Sequence, residues 1–267
     1  MTMLLTIRHT TTYHYDEPVP YGLTQLRMTP RDSAGQTVTR WVIDVAGGHP
    51  HVSFIDHHGN VVELVGTDEH SNEVAISVDG EVETVDTHGV LSDHGGVAPL
   101  WLYERPTDLT RAGPGVQRLT RGLRASEEPL ATLHDLVGRI GGAVSYRTGF
   151  TDAATPAEDA VSAGVGVCQD HAHILLAAAR HLGFPARYVS GYLLMDGRVD
   201  QEAGHAWGEA WVRDLGWVAF DVSNGISPDD RYVRVATGLD YRDVAPVRGV
   251  RQGAGTEEMS VTLQVQQ

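Results

Sequence analysis

The chain of 267 residues carries a single cysteine, Cys168. An internal disulfide and a zinc site built from several cysteines are therefore excluded. No apolar run approaches the roughly 20 residues that span a bilayer. The opening Met1-Thr2-Met3-Leu4-Leu5-Thr6-Ile7 has no basic start, no long apolar centre and no cleavage site, so it reads as a strand rather than a signal peptide. Together these absences lead us to expect a reducing, cytoplasmic compartment. Positive charge is scarce as well: 20 Lys and Arg face 35 Asp and Glu, a formal charge of −15. Without a basic run, that average field repels a phosphate backbone, and the acidity reads as a solubility feature; neither nucleic acid nor membrane is expected as a partner. Internal repeats and low-complexity segments are missing too. What is present, 41% hydrophobic and 21% charged residues, is the composition of a soluble globular protein with material for a large core in one or two domains.

The first hundred residues read as β structure, with alternating or β-rich runs at Leu4–Tyr15, Thr37–Val45, Val61–Val65 and Glu73–Val78. The stretch 73–85 reads as a hairpin, because Asp79-Gly80 can supply the positive φ angles of a two-residue turn. His57-His58-Gly59-Asn60 is a second turn. Pro99, Pro106, Gly113, Pro114 and Gly115 mark a connection, and helical patterns follow at Val116–Leu123 and Pro129–Ile140, the second placed for capping by Ser126 and ending at Gly141-Gly142. Thr155-Pro156-Ala157-Glu158 has the form of a capping box and starts a short helix through Ala163. A further helix runs from Cys168 to Leu182, stopped by Gly183 and Pro185. Strands are expected at Arg187–Leu194, His205–Arg213, Trp217–Val222 and, in the tail, around Met259–Val265.

Cys168 follows a Gly-x-Gly turn and opens a helix, where unpaired N–H groups and the positive end of the helix dipole favour the thiolate form of a cysteine. It shares the face of Ala172, Leu175, Leu176, Ala179 and Leu182, which points it toward a sheet. The best candidate base is His205. It opens the run Gly204-His205-Ala206-Trp207-Gly208-Glu209-Ala210-Trp211, whose small residues on alternate positions suit packing against a helix. Asp221, ending an apolar strand, is the candidate orienting acid. If Asp214-Leu215-Gly216 is a tight loop, Arg213 faces Trp217 and Asp221 lies opposite Glu209 instead of near His205. Glu209 is therefore held in reserve for the orienting role.

The ordered set Gly164-Val165-Gly166-Val167-Cys168-Gln169-Asp170-His171-Ala172-His173, Tyr188–Tyr192, Gly204–Trp207 and Gly216–Gly225 resembles bacterial transglutaminase-like proteins, often described as cysteine proteases. Gly238–Pro246 and, near the start, Tyr13–Val19 and Leu26–Pro30 extend the resemblance over nearly the whole chain. It implies an α+β protein: a papain-like core in which the helix carrying the cysteine packs on an antiparallel sheet, preceded by a β-sandwich-like N-terminal domain. The division expected is 1–105, 115–245 and a C-terminal extension, 246–267, ending in a strand. The resemblance also implies Cys168 as nucleophile, His205 as base and Asp221 as orienting acid, with a peptide or protein amide as substrate; no cofactor or metal is expected. The chain departs from the family in having Asp221-Val222-Ser223 where Asp-Pro-Thr is common, which leaves the acid but alters the turn after it. The backbone N–H of Cys168 is a natural oxyanion donor; Tyr146 is the candidate for a second.

Other readings compete. His171 and His173, with His181 and His205, suggest a metal, but i and i+2 on a helix point apart. His49-Pro50-His51 and His57-His58 are expected in surface loops. Asp170 can simply satisfy amides at the helix start, and Arg187 and Tyr188 read as packing beneath the site. A non-catalytic binding module retaining the fold, with Trp207, Trp211 and Trp217 lining a cleft, is the alternative from another class.

Overall fold

The computed structural model describes residues 2–91, 97–125, 128–201 and 203–267. The N-terminal half consists of β1 (Thr2–Val19), β2 (Tyr21–Leu26), β3 (Gln36–Ala46), β4 (Gly48–Ile55), β5 (Val61–Thr67) and β6 (Ser71–Val85). After a short 3-10 turn at Leu100–Glu104 come α1 (Pro114–Leu119), α2 (Pro129–Ala143), β7 (Ser145–Tyr146), α3 (Ala157–Ala163), β8 (Val165–Gly166) and α4 (Cys168–His181). The remainder is β9 (Ala186–Leu193), β10 (Asp200–Gln201), β11 (His205–Val212), β12 (Gly216–Phe220), β13 (Tyr232–Gly238), α5 (Tyr241–Val244), β14 (Val247–Gln252) and β15 (Glu257–Gln266). No described helix is long and apolar enough to cross a membrane.

Three main sheets result. One has the order β10-β15-β1-β6-β3 and another β14-β2-β5-β4. Leu26, Met28 and Val65 from the smaller sheet side meet Val74, Ile76 and Val78 of β6 in one buried cluster, so the two form a sandwich. The segment 246–267 does more than end in a strand: β14 and β15 add one strand to each layer. The third sheet, β12-β11-β9-β13, is antiparallel throughout and carries α4 on one face. Every residue of α4 from Asp170 to Arg180 is buried. Ala206, Gly208 and Ala210 let the helix come close: a Cβ on Gly208 would lie 2.8 Å from a Leu175 methyl. The alternation of small residues in β11 is thus a packing requirement of the helix above it.

The sandwich is bound to this sheet by side chains that imitate a strand. Among the described residues no strand pairs with the outer edge of β13, yet Gln36 and Asn60 fill its hydrogen bonds. The amide of Arg234 donates to Gln36 Oε1 and its carbonyl accepts from Gln36 Nε2, both at 2.8 Å. Thr237 makes the same pair of bonds with Asn60, again at 2.8 Å. Edge backbone groups that would otherwise invite another chain are satisfied internally.

Several local expectations are corrected. The stretch 73–85 is no hairpin: β6 runs straight through Asp79-Gly80, with Asp79 paired between Arg8 and Val42. Gly80 is needed for space rather than for its φ, since a Cβ there would fall 2.1 Å from the Trp41 ring. Helix α2 continues past Gly141-Gly142 to Ala143, and Ser126 lies outside the described residues. Thr155 and Glu158 do not form a capping box. Thr155 bonds to Asp152, and the Glu158 carboxylate accepts from the Gly115 and Val116 amides at 2.6 and 3.0 Å, capping α1 instead of its own helix. His49-Pro50-His51 lies on β4, not in a loop. The turn at 57–60 is present, with Asp56 accepting from the amides of His58 and Asn60.

Candidate active site

The loop from β8 into α4 fixes Cys168 as the first helical residue, so its amide has no intrahelical acceptor. Asp170 holds this start in place. Its Oδ2 accepts from the Val167 amide at 2.7 Å and from the Thr151 hydroxyl at 2.6 Å. That is the local role expected of it; the other half of a capping box is missing because Val167 has no acceptor. Cys168 is half-buried and free.

His205 is the first residue of β11, level with Gly191 of β9. Its Nε2 donates to Asp221 Oδ2 at 2.7 Å, which leaves Nδ1 as the ring nitrogen available to Cys168. Burial alone would lower the His205 pKa, but hydrogen bonds with Asp221 and with Cys168 outweigh it and push it up to about 10. Asp221 is fully buried. Burial opposes its ionisation, yet the hydrogen bonds from His205, Asn224 and Tyr232 hold it below the usual carboxylate range. Asn224 Nδ2 donates to Oδ2 at 2.7 Å and the Tyr232 hydroxyl at 2.8 Å, while the amides of Ser223 and Asn224 donate to Oδ1 at 2.9 and 3.3 Å. The turn after Asp221 therefore wraps the carboxylate even though Val222-Ser223 replaces Pro-Thr.

The register problem posed by the sequence is resolved by a turn of the same length placed one residue earlier in the chain. Val212 pairs with Gly216 and Trp211 with Trp217, because Asp214 and Gly216 both take left-handed backbone conformations. Continuing that register puts Asp221 level with Trp207, one same-face step from His205. Glu209 instead faces two arginines: it pairs with Arg187 Nε at 2.5 Å and Arg234 Nε at 2.9 Å. Its reserve role as orienting acid is thereby overturned. Arg187 is the packing residue it was expected to be, its guanidinium 4.0 Å above the Trp217 ring.

The other candidates separate cleanly. His171 is buried with both nitrogens engaged: Nε2 donates to the Val144 carbonyl at 3.0 Å and Nδ1 bonds the Ser223 hydroxyl at 2.9 Å. Burial lowers its pKa, so it is a neutral structural residue. His173 points elsewhere, with Nε2 accepting from the Tyr241 amide at 3.2 Å. Trp207 and Trp217 are core residues, 3% and 0% exposed; Trp207 stacks beneath the His205 ring. Tyr146 is half-exposed and sits opposite Gly166 in the β7–β8 bridge, near enough that the Cys168 charge adds to the burial raising its pKa. Asn224 and Tyr232, the additional donors to Asp221, were not singled out. The turn Asp221-Val222-Ser223-Asn224-Gly225 carries an Asx-type signal for the first; no local pattern points to the second.

Cys168 and His205 open together onto a cleft of about 330 Å³. A sulfur, an imidazole and a buried carboxylate thus come together where the helix start meets the end of β11. Comparison with known proteins agrees at the level of family. The description "Transglutaminase-like superfamily" matches residues 116–222, and "Bacterial transglutaminase-like N-terminal region" matches residues 5–83. The chain belongs to the transglutaminase-like superfamily and carries the bacterial N-terminal region of that family. The uncharacterized protein ML0607 of Mycobacterium leprae is 28% identical, with 96% of each chain covered. The uncharacterized protein Rv2569c of Mycobacterium tuberculosis is 30% identical over 91% of this chain and 86% of its own. Among solved structures, one from Cytophaga hutchinsonii described as "a Putative Cysteine Protease" superposes with a TM-score of 0.74 at 21% identity, covering 100% of this chain and 98% of that one. At that identity the likeness establishes a shared fold, including the arrangement of sandwich and core.

Proposed function

We propose that the protein is a cysteine-dependent amide hydrolase or acyltransferase that forms a thioester at Cys168 from a peptide bond or a glutamine amide. The reading rests on one observation: His205 is held by Asp221 through one ring nitrogen and meets Cys168 through the other. In this mechanism the Cys168 thiolate attacks the amide carbonyl carbon, and the negative charge moves to the carbonyl oxygen. The Cys168 amide and the Tyr146 hydroxyl donate to that oxyanion. The C–N bond then breaks as the His205 imidazolium gives its proton to the leaving amine. Deacylation reverses the roles: His205 takes a proton from water or from an incoming amine, whose attack on the thioester releases the acid or a new amide and returns the sulfur. Asp221 stays ionised throughout, orienting the ring and supporting the imidazole whenever it carries the charge, and takes no proton itself.

All 20 Lys and Arg positions are arginine. The side chains of this protein therefore offer no primary amine, and a transferase would draw its acceptor from another molecule. Mass spectrometry of the intact protein with peptide libraries, with and without an added alkylamine, tests the proposal. The expected result is an acyl adduct on Cys168, absent in Cys168→Ala, whose products distinguish water from amine as acceptor. An adduct that persists in Cys168→Ala contradicts the assignment.

A further inference from the structure

The cleft beside Cys168 is not made by the core alone. Its far wall is one face of the β1–β15 ladder, where Thr11 lies opposite Val261 and Tyr13 opposite Met259. Farther along the same face, Ile7 and Val265 are buried in the core shared with α4. The apolar face thus leaves the interior and emerges at the nucleophile, ending in Met259, which is 57% exposed. Pro246, Val247 and Tyr241 continue the lining. Among the described residues around this cleft there is no Asp, Glu, Lys or Arg, although such residues make up 21% of the chain. The one further titratable imidazole, His9, is closed off: Nδ1 bonds the Tyr192 hydroxyl at 3.0 Å and Nε2 the Thr11 hydroxyl at 3.1 Å. Burial brings its pKa down to about 4, so it stays neutral.

From this we infer that β1 and β15 build an acyl-donor subsite for an uncharged apolar or aromatic side chain next to the reacting carbonyl. The inference rests on Cys168 being the nucleophile, and it gives the N- and C-terminal strands a role in selecting substrate. An apolar side chain entering this cleft removes water from Tyr13, Val261 and Met259. An ammonium would lose hydration there with no acidic side chain among the described lining residues, and a carboxylate would find only His205, whose charge is already held by Asp221 and Cys168; that loss is what discriminates.

The test uses the full chain and two affinity probes, benzyloxycarbonyl-phenylalanyl and benzyloxycarbonyl-aspartyl chloromethyl ketone. In each, the Cys168 sulfur forms a bond to the methylene carbon and chloride leaves. Every rate is divided by the rate of the same protein with iodoacetamide, which lacks a side chain to recognise. The phenylalanyl probe should react about tenfold or more faster than the aspartyl one. Met259→Lys and Val261→Lys should each reduce or invert that ratio by supplying a cation to the aspartyl probe; Met259 is exposed, so its variant leaves the core intact. A wild-type ratio near one, or a ratio unmoved in both variants, overturns the subsite. Iodoacetamide labelling that is no faster than a free thiol, with the phenylalanyl preference and its loss in the variants retained, supports the subsite and counts against the nucleophile reading alone.

Discussion

Strand β11 carries two buried charge clusters on the same face, at His205 and at Glu209, and they serve opposite ends. Glu209 meets two guanidiniums, one on each carboxylate oxygen. Both partners are arginines, and although burial draws the pKa of Arg187 down to about 10, it stays charged at neutral pH. Nothing in that cluster can give up or accept a proton in the working range, so it fixes β11 against β9 and β13. At His205 the carboxylate meets a titratable ring, and the ring retains a second nitrogen that faces a sulfur and a cleft. A saturated ion network makes a brace; one proton-carrying member with a free side makes a site. Sequence periodicity places His205 and Glu209 on one face without distinguishing these fates, because the partners arrive from other strands.

Removing each carboxylate should separate the two clusters. Asp221→Asn should lower the acylation rate by about 10⁴-fold, the scale seen when a triad carboxylate is neutralised, while circular dichroism remains that of the wild type. A loss below tenfold would make Asp221 a bystander. Glu209→Gln should instead act on stability, costing about 3–5 kcal/mol in urea unfolding because it strips the buried arginines of their counter-charge; an unchanged midpoint would remove the distinction. Next in size, Asn60→Ala should cost about 1–3 kcal/mol by leaving the Thr237 amide and carbonyl unpaired at the edge of β13. The same unfolding experiment reads it, and no shift would mean water replaces the side chain freely.

The smallest effect is the pH dependence of the His205–Asp221 pair. The folded pKa of His205 is raised, so its contribution to stability is complete below its ordinary value of 6.5 and is lost as the pH climbs through about 10. Asp221 is depressed, so its contribution is present above 3.8 and disappears as the pH falls through its lower folded value. Urea midpoints of wild type and His205→Ala should differ most between pH 3.8 and 6.5 and converge above that window. Parallel curves across the range would deny the coupling.

Much of this was legible in the residues. The small-residue alternation in 204–211 identified a strand pressed against a helix, and the Gly-x-Gly break located the helix start at Cys168. What failed did so for lack of long-range information. Asp79-Gly80 has the chemistry of a turn, but the Trp41 ring from a neighbouring strand requires the glycine within a straight β6. The register of Asp221 stays open in the sequence, with Glu209 as its partner if 214–216 is the loop, because the number of residues in a hairpin loop does not reveal which of them turn left-handed; Asp214 and Gly216 do. The Tyr232 bond to Asp221 and the cleft wall of Tyr13 and Met259 depend on strands brought together by the completed fold, so no window of sequence contains them.

The central claim is that the Cys168 sulfur is made reactive by a charged His205. Alkylation of the native protein by iodoacetamide, followed from pH 5 to 9 in wild type and His205→Ala, measures this directly. The account predicts rapid labelling of Cys168 at mildly acidic pH, where a free thiol with a pKa of about 8.5 is slow, and a marked slowing in the variant. Labelling that tracks a free thiol and is indifferent to His205 would contradict it.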